Sequence, residues 1–224
     1  MVWRARVETM ARRLHKLELA GPAGKLEALL TLPQEAARGV ALVCHPHPQL
    51  GGTMHTKAVY RTSRALLDAG YEVLRFHFRG VGGSAGRFDG GPGELDDARA
   101  ALTWLRRRPA GAHLLLAGFS FGAYVALRLA DGLDGITARV GVGPPLELYD
   151  FGFLRSGGAP LLLVAGDDDT FCPAETLLQL GERLGPTTHV CLLPGAGHLL
   201  LEALQPLQDA VEAFARARLD QRPA

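Results

Sequence analysis

One serine in this 224-residue chain stands where it could act as a nucleophile. Gly118, Ser120 and Gly122 form G-x-S-x-G within AGFSFGAYVALRLA, residues 117–130. The apolar run AHLLLAG precedes Ser120 and AYVALRLA follows with a helical period, so the spacing predicts a tight strand-to-helix turn at the serine. A hydroxyl is a weak nucleophile until an imidazole takes its proton. The imidazole in turn needs a carboxylate to fix its tautomer and stabilise its charged form. Both types follow in the chain: Asp167, Asp168 and Asp169 come directly after PLLLVAG (160–166), and His198 comes after THVCLLPG (188–195). Serine, acid and histidine each lie just beyond a strand-like segment. The alternative, a connecting serine with glycines supplying only the bend, leaves that order unexplained.

Two other stretches could carry different chemistry. In CHPHPQLGG (44–52), His45 and His47 form H-x-H with His55 nearby, a spacing found in metal-dependent hydrolases. No set of acidic ligands accompanies it in the sequence, so no metal site is expected. In FRGVGGSAG (78–86), Gly80, Gly82 and Ala85 fit G-x-G-x-x-A after a strand, as in a dinucleotide fold. The following GRFDGGPGE does not open a helix that could receive a pyrophosphate, so no cofactor is expected either. His15, His113 and His189 fall at strand starts and read as surface residues. Cys44, Cys172 and Cys191 read as small buried hydrophobes.

The elements that must hold these residues alternate in type. HKLELA and KLEALLTL flank GPAG and read as an antiparallel hairpin. Strands are then expected over 39–46, 71–78, 112–118, 136–143, 160–166 and 188–195, and helices over 56–70, 93–108, 174–185 and 205–219, besides the one after Ser120. Such alternation predicts an α/β fold with a mostly parallel sheet covered by helices on both faces. In sheets of this kind ligands gather at the carboxyl ends of the strands, where Ser120, the aspartates and His198 are all expected.

Composition limits the partners. The net charge is +1, with 24 basic and 23 acidic residues interspersed, which leaves no electrostatic footprint for nucleic acid or an anionic membrane. No run approaches the roughly 20 apolar residues of a membrane helix. The basic start MVWRARVETMARRLHK lacks the apolar core of a secretory signal. Three widely spaced cysteines without C-x-x-C fit a reducing compartment, and the cytoplasm is expected. Residues 1–224 read as a single domain, with 1–9 and 220–224 as frayed ends and Met10 as an alternative start. Its oligomeric state is left open, a homodimer included.

Taken with their order, these motifs resemble the α/β-hydrolase superfamily over residues 14–218. HPHPQLGG and FRGVGGSAG together are similar to compact, lidless bacterial hydrolases related to dienelactone hydrolases, though with serine where those have cysteine. The chain departs from such relatives at His77, where asparagine is common, and at Leu199 and Leu200, where aromatics follow the histidine. The resemblance implies a Ser120–His198–Asp169 triad, the acid being the third residue beyond the strand-ending Gly166. It also implies an oxyanion hole from the N–H groups of His47 and Phe121, because Pro46 and Pro48 have none to give. Phe119, Leu50 and residues of LYDFGFL (148–154) are expected to wall the substrate pocket. The expected activity is hydrolysis of small to medium uncharged acyl esters. A thioesterase or acyl-peptide hydrolase with the same triad is the alternative, ahead of a non-catalytic binding protein.

Overall fold

The computed structural model describes residues 13–110 and 113–221. The expectations for residues 1–9, Met10 and 222–224 lie outside these. Short apolar runs bounded by glycine become the central strands. β1 (Leu14–Gly21) and β2 (Gly24–Thr31) form the antiparallel hairpin, followed by β3 (Gly39–Cys44), β4 (Tyr71–Phe76), β5 (Leu114–Phe119), β6 (Ala138–Val142), β7 (Leu161–Gly166) and β8 (Thr188–Leu193). Every residue of β3 to β7 is buried, as expected of interior strands covered on both faces. Edge strands β1 and β8 are only partly buried.

Among the described residues the α-helices are α1 (Lys57–Ala69), α2 (Pro92–Leu105), α3 (Phe121–Ala130), α4 (Ala174–Leu184) and α5 (Leu204–Leu219). Strand alternation sends successive side chains to opposite faces. Leu115, Ala117 and Phe119 of β5 share a core with Leu66 of α1 and Phe214 of α5, whereas Leu114 and Leu116 pack with Leu102 of α2 and Val125 of α3.

Several elements are shorter than their sequence suggests, among them β3, which ends at Cys44, β6, which spans Ala138–Val142, and β8, which ends at Leu193. The strand expected over 71–78 ends at Phe76: the His77 N–H still bonds Glu27 O in the register of β2, but the Phe78 N–H leaves the sheet for the His45 ring. The helix expected over 93–108 stops at Leu105, and Arg107 and Arg108 turn back onto Trp104 O and Leu105 O. FRGVGGSAG is a structural turn. Gly80 and Gly82 have positive φ, the Ser84 hydroxyl bridges Glu27 N–H and His77 O, and Arg79 is clamped on buried Asp97.

Strand order is β1-β2-β4-β3-β5-β6-β7-β8, with β3 to β8 parallel and β2 antiparallel to β4. The chain leaves β3 toward β4 on one side and returns to β5 on the other. The loops after β3 and β5 therefore part at their carboxyl ends and open a crevice there, the usual place for a ligand in such a sheet. Among the described residues no helix is long and apolar enough to cross a membrane.

Candidate active site

Ser120 is the residue that turns β5 into α3. Its φ of 55° and ψ of −125° lie in a region that costs a non-glycine residue of order 1–3 kcal/mol. The surroundings enforce it. The Ser120 N–H is held by Val142 O of the neighbouring strand at 2.8 Å, and Ser120 O accepts from Ala123 and Tyr124. A Cβ on Gly118 would collide with the carbonyl of Gly122, and one on Gly122 would collide with the carbonyls of Cys44 and His45. Both glycines of the motif are thus required by backbone packed against backbone.

His198 stands between Ser120 and Asp169. Its Nε2 lies 2.9 Å from Ser120 Oγ, and its Nδ1 lies 2.9 and 2.8 Å from the two Asp169 oxygens. Asp169 is buried, and its Oδ1 also accepts the N–H groups of Phe171 and Cys172, which fixes the carboxylate plane. Asp167 and Asp168 are exposed and point elsewhere. Asp167 Oδ1 accepts Gly195 N–H at 2.7 Å, and the Asp168 N–H reaches Ala196 O. These bonds tie the loop carrying the acid to the loop carrying the histidine. Gly166 completes the seam, since a Cβ there would strike Ala196 O.

The imidazole is also gripped by aromatic rings. Phe119 stacks on it at 5.4 Å between centroids, and Phe171 meets it edge-on at 4.9 Å. Sequence reasoning assigned nothing to Phe171; its place two residues past the acid was the available clue. Gly143, at the end of β6, was also passed over. Its φ is 50°, and a Cβ there would lie 3.2 Å from the Phe119 ring and 3.5 Å from Asp169 Oδ2.

Across the crevice, the loop after β3 is pinned by His45. The Nδ1–H of this buried residue donates to Pro46 O at 2.7 Å, and its Nε2 accepts the Phe78 N–H at 3.0 Å. Burial pushes its pKa down to about 3, so it stays neutral. With both nitrogens engaged, His45 has no lone pair to give a metal, and the H-x-H pair is a loop fastening. His47 heads a short 3-10 turn over Pro48–Leu50. Its carbonyl accepts from Leu50 and Gly52, and its ring packs on Phe88 and Phe121. Phe121 opens α3, so its N–H has no carbonyl one turn back to bond and sits at the positive end of the helix dipole.

Ser120 and His198 line a cleft of about 270 Å³, together with His47, Phe119, Phe121 and Leu50. Leu148, Tyr149, Phe171 and Leu199 complete its apolar lips. From LYDFGFL only the first two residues face the cleft. Phe151, Phe153 and Leu154 turn into the core beside α4, because apolar side chains this large find more cover there. Cys44 and Cys172 are buried, and burial raises both thiols well above the usual range, so neither competes as a nucleophile. His15 and His189 are exposed as expected, whereas His113 is half-buried with its Nδ1 out of contact with solvent.

Residues 23–177 match the family described as X-Pro dipeptidyl-peptidase (S15 family), a span that holds Ser120 and Asp169 and stops short of His198. An uncharacterized protein of Rickettsia prowazekii is 36% identical over 87% of this chain and 85% of its own. Among solved structures, a serine hydrolase without a lid from Xanthomonas campestris has 37% identity and a TM-score of 0.84, covering 94% of this chain and 97% of the other. An α/β serine hydrolase homologue from Coxiella burnetii has 33% identity and the same TM-score, covering 89% and 96%. The chain belongs to the S15 family and, with it, to the α/β-hydrolase superfamily of serine hydrolases.

Proposed function

We propose that this protein is a carboxylesterase that cleaves small to medium uncharged acyl esters through a Ser120–His198–Asp169 triad. The observation that carries the reading is Ser120 Oγ at 2.9 Å from His198 Nε2 on the floor of an apolar cleft. Ser120 attacks the ester carbonyl while His198 takes its proton, and the N–H groups of Phe121 and His47 receive the oxyanion. As the tetrahedral intermediate collapses, His198 passes that proton to the leaving alcohol, which departs and leaves an acyl-enzyme. Water then attacks the acyl carbon, giving its proton to His198. Breaking the Ser120 Oγ–acyl bond releases the acid and returns the proton to the serine. Asp169 holds the imidazole and stays ionised throughout. No cofactor takes part, and one chain supplies every group. The reading places the protein in the cytoplasm, in keeping with three free thiols.

The family match favours a second reading, a peptidase that releases X-Pro dipeptides from the N-termini of peptides. A dipeptidyl-peptidase must recognise a free N-terminal ammonium, which calls for a carboxylate at the end of the cleft that takes the dipeptide, two residues from the scissile bond. Among the described residues, those lining this cleft include no Asp or Glu. A panel of p-nitrophenyl esters, acyl thioesters and X-Pro-p-nitroanilides, run on wild type and Ser120→Ala, separates the readings. Turnover of esters far above the anilides, lost in Ser120→Ala, is expected. Preference for the X-Pro anilides would replace the esterase with a peptidase.

A further inference from the structure

Tyr149 is a wall shared by three hollows. One is the catalytic cleft, and another, of about 250 Å³, is bounded by Pro92, Leu95, Tyr124, Val125 and Arg128. The third opens beside Leu180 and Arg183 of α4. The tyrosine ring stacks on Tyr124 at 4.8 Å and leans on Phe121 at 5.6 Å, directly after the nucleophile. Its position follows from the helix. Tyr124 and Arg128 come four and eight residues after Ser120, on one side of α3 and up to about 12 Å along its axis. The second hollow therefore leads away from Ser120 along that helix, with Tyr149 standing across the way.

From this geometry we propose that Tyr149 sets the longest acyl chain the enzyme accepts, by closing the cleft off from the hollow along α3. The proposal rests on the esterase reading. The hollow suits an aliphatic chain, because Pro92, Leu95 and Val125 line it and the Arg128 guanidinium at its edge is engaged over the Phe153 ring at 4.8 Å. Joining two spaces of about 270 and 250 Å³ nearly doubles the room beside Ser120.

The test is the chain-length dependence of kcat/KM for p-nitrophenyl esters from acetate to decanoate, on wild type, Tyr149→Ala and Tyr149→Phe. Each methylene moved from water into an apolar hollow is worth roughly fourfold. The octanoate-to-acetate ratio should therefore rise by at least about tenfold in Tyr149→Ala. Tyr149→Phe should keep the wild-type ratio, because the ring and not the hydroxyl forms the wall. An unchanged ratio in folded Tyr149→Ala overturns the proposal, folding being judged by melting temperature and by fluorophosphonate labelling of Ser120. Should the alanine variant not fold, Tyr149→Val reads the same ratio with the same two outcomes. A wild type that labels at Ser120 yet hydrolyses none of the esters overturns the esterase reading itself, and the assignment of Tyr149 with it.

Discussion

Asp169 and Leu50 serve one cleft, the first from behind His198 and 3% exposed, the second on the cleft wall and 81% exposed. The chemical side is built from short loops after β5, β7 and β8 that are bonded to one another: Ser120 to β6, Asp167 to Gly195, and Asp168 to Ala196. The opposite wall is made of apolar side chains, of which Leu50 and Leu148 stand largely open to solvent. The loops behind that wall are tied too: His45 fastens the loop after β3 to Phe78, Met54 N–H reaches the His77 ring, and Glu147 N–H reaches Phe171 O. The difference teaches that position is enforced where a proton must move across a fixed distance. The wall needs only to exclude water and accept an apolar group.

If that contrast is right, changes on the chemical side should be severe and specific. Asp169→Asn should lower kcat by roughly 10³–10⁴ with the fold intact, because an amide cannot hold the tautomer and charge of His198. Steady-state kinetics with circular dichroism on the same sample checks this. Gly122→Ala should cost about 3 kcal/mol or more in urea unfolding, since its Cβ meets backbone carbonyls that cannot rotate away.

The His45 fastening gives a pH-dependent outcome. Its pKa is about 3 in the fold, against an ordinary imidazole value near 6.5 once unfolded. Below about pH 6.5 the unfolded chain binds the extra proton, so stability falls with pH toward 3, by up to about 1.4 kcal/mol per unit. Burial lowers His77 in the same direction. Melting temperature against pH should slope less steeply between 6.5 and 4 in His45→Asn than in wild type. The smallest effect is expected at Asp167→Asn, where kcat should drop about tenfold or less, because one loop bond weakens while the triad stays in place. A loss as large as that of Asp169→Asn would erase the distinction between reacting groups and the ties that hold them.

The chemical side was legible in the sequence because its demands fall on residue types. Only glycine fits at 118 and 122, and serine, aspartate and histidine recur at strand ends in a fixed order. The eight strands and five α-helices of the described residues followed from runs and periods of the kind that two-faced burial imposes. What escaped was set by tertiary packing. Phe171 packs on His198 and Gly143 leaves it room, and neither belongs to any periodic pattern. Nothing local distinguishes Leu148 and Tyr149, which face the cleft, from Phe151 and Phe153, which turn into the core. The early end of β4 could not be read from YEVLRFHF, since it depends on a histidine more than thirty residues earlier. Roles on the wall depend on where a loop turns, and the loop carries no repeat to announce it.

The central claim is that Ser120 is the one activated nucleophile, poised by His198 and Asp169. The most direct measurement is mass-spectrometric mapping of the residue modified by a fluorophosphonate probe, in wild type and in Ser120→Ala, His198→Ala and Asp169→Asn. Modification should fall on Ser120 alone, vanish in Ser120→Ala and slow by orders of magnitude in the other two. Modification of Cys44 or Cys172 instead, or of Ser120 at an unchanged rate without His198, would contradict the account.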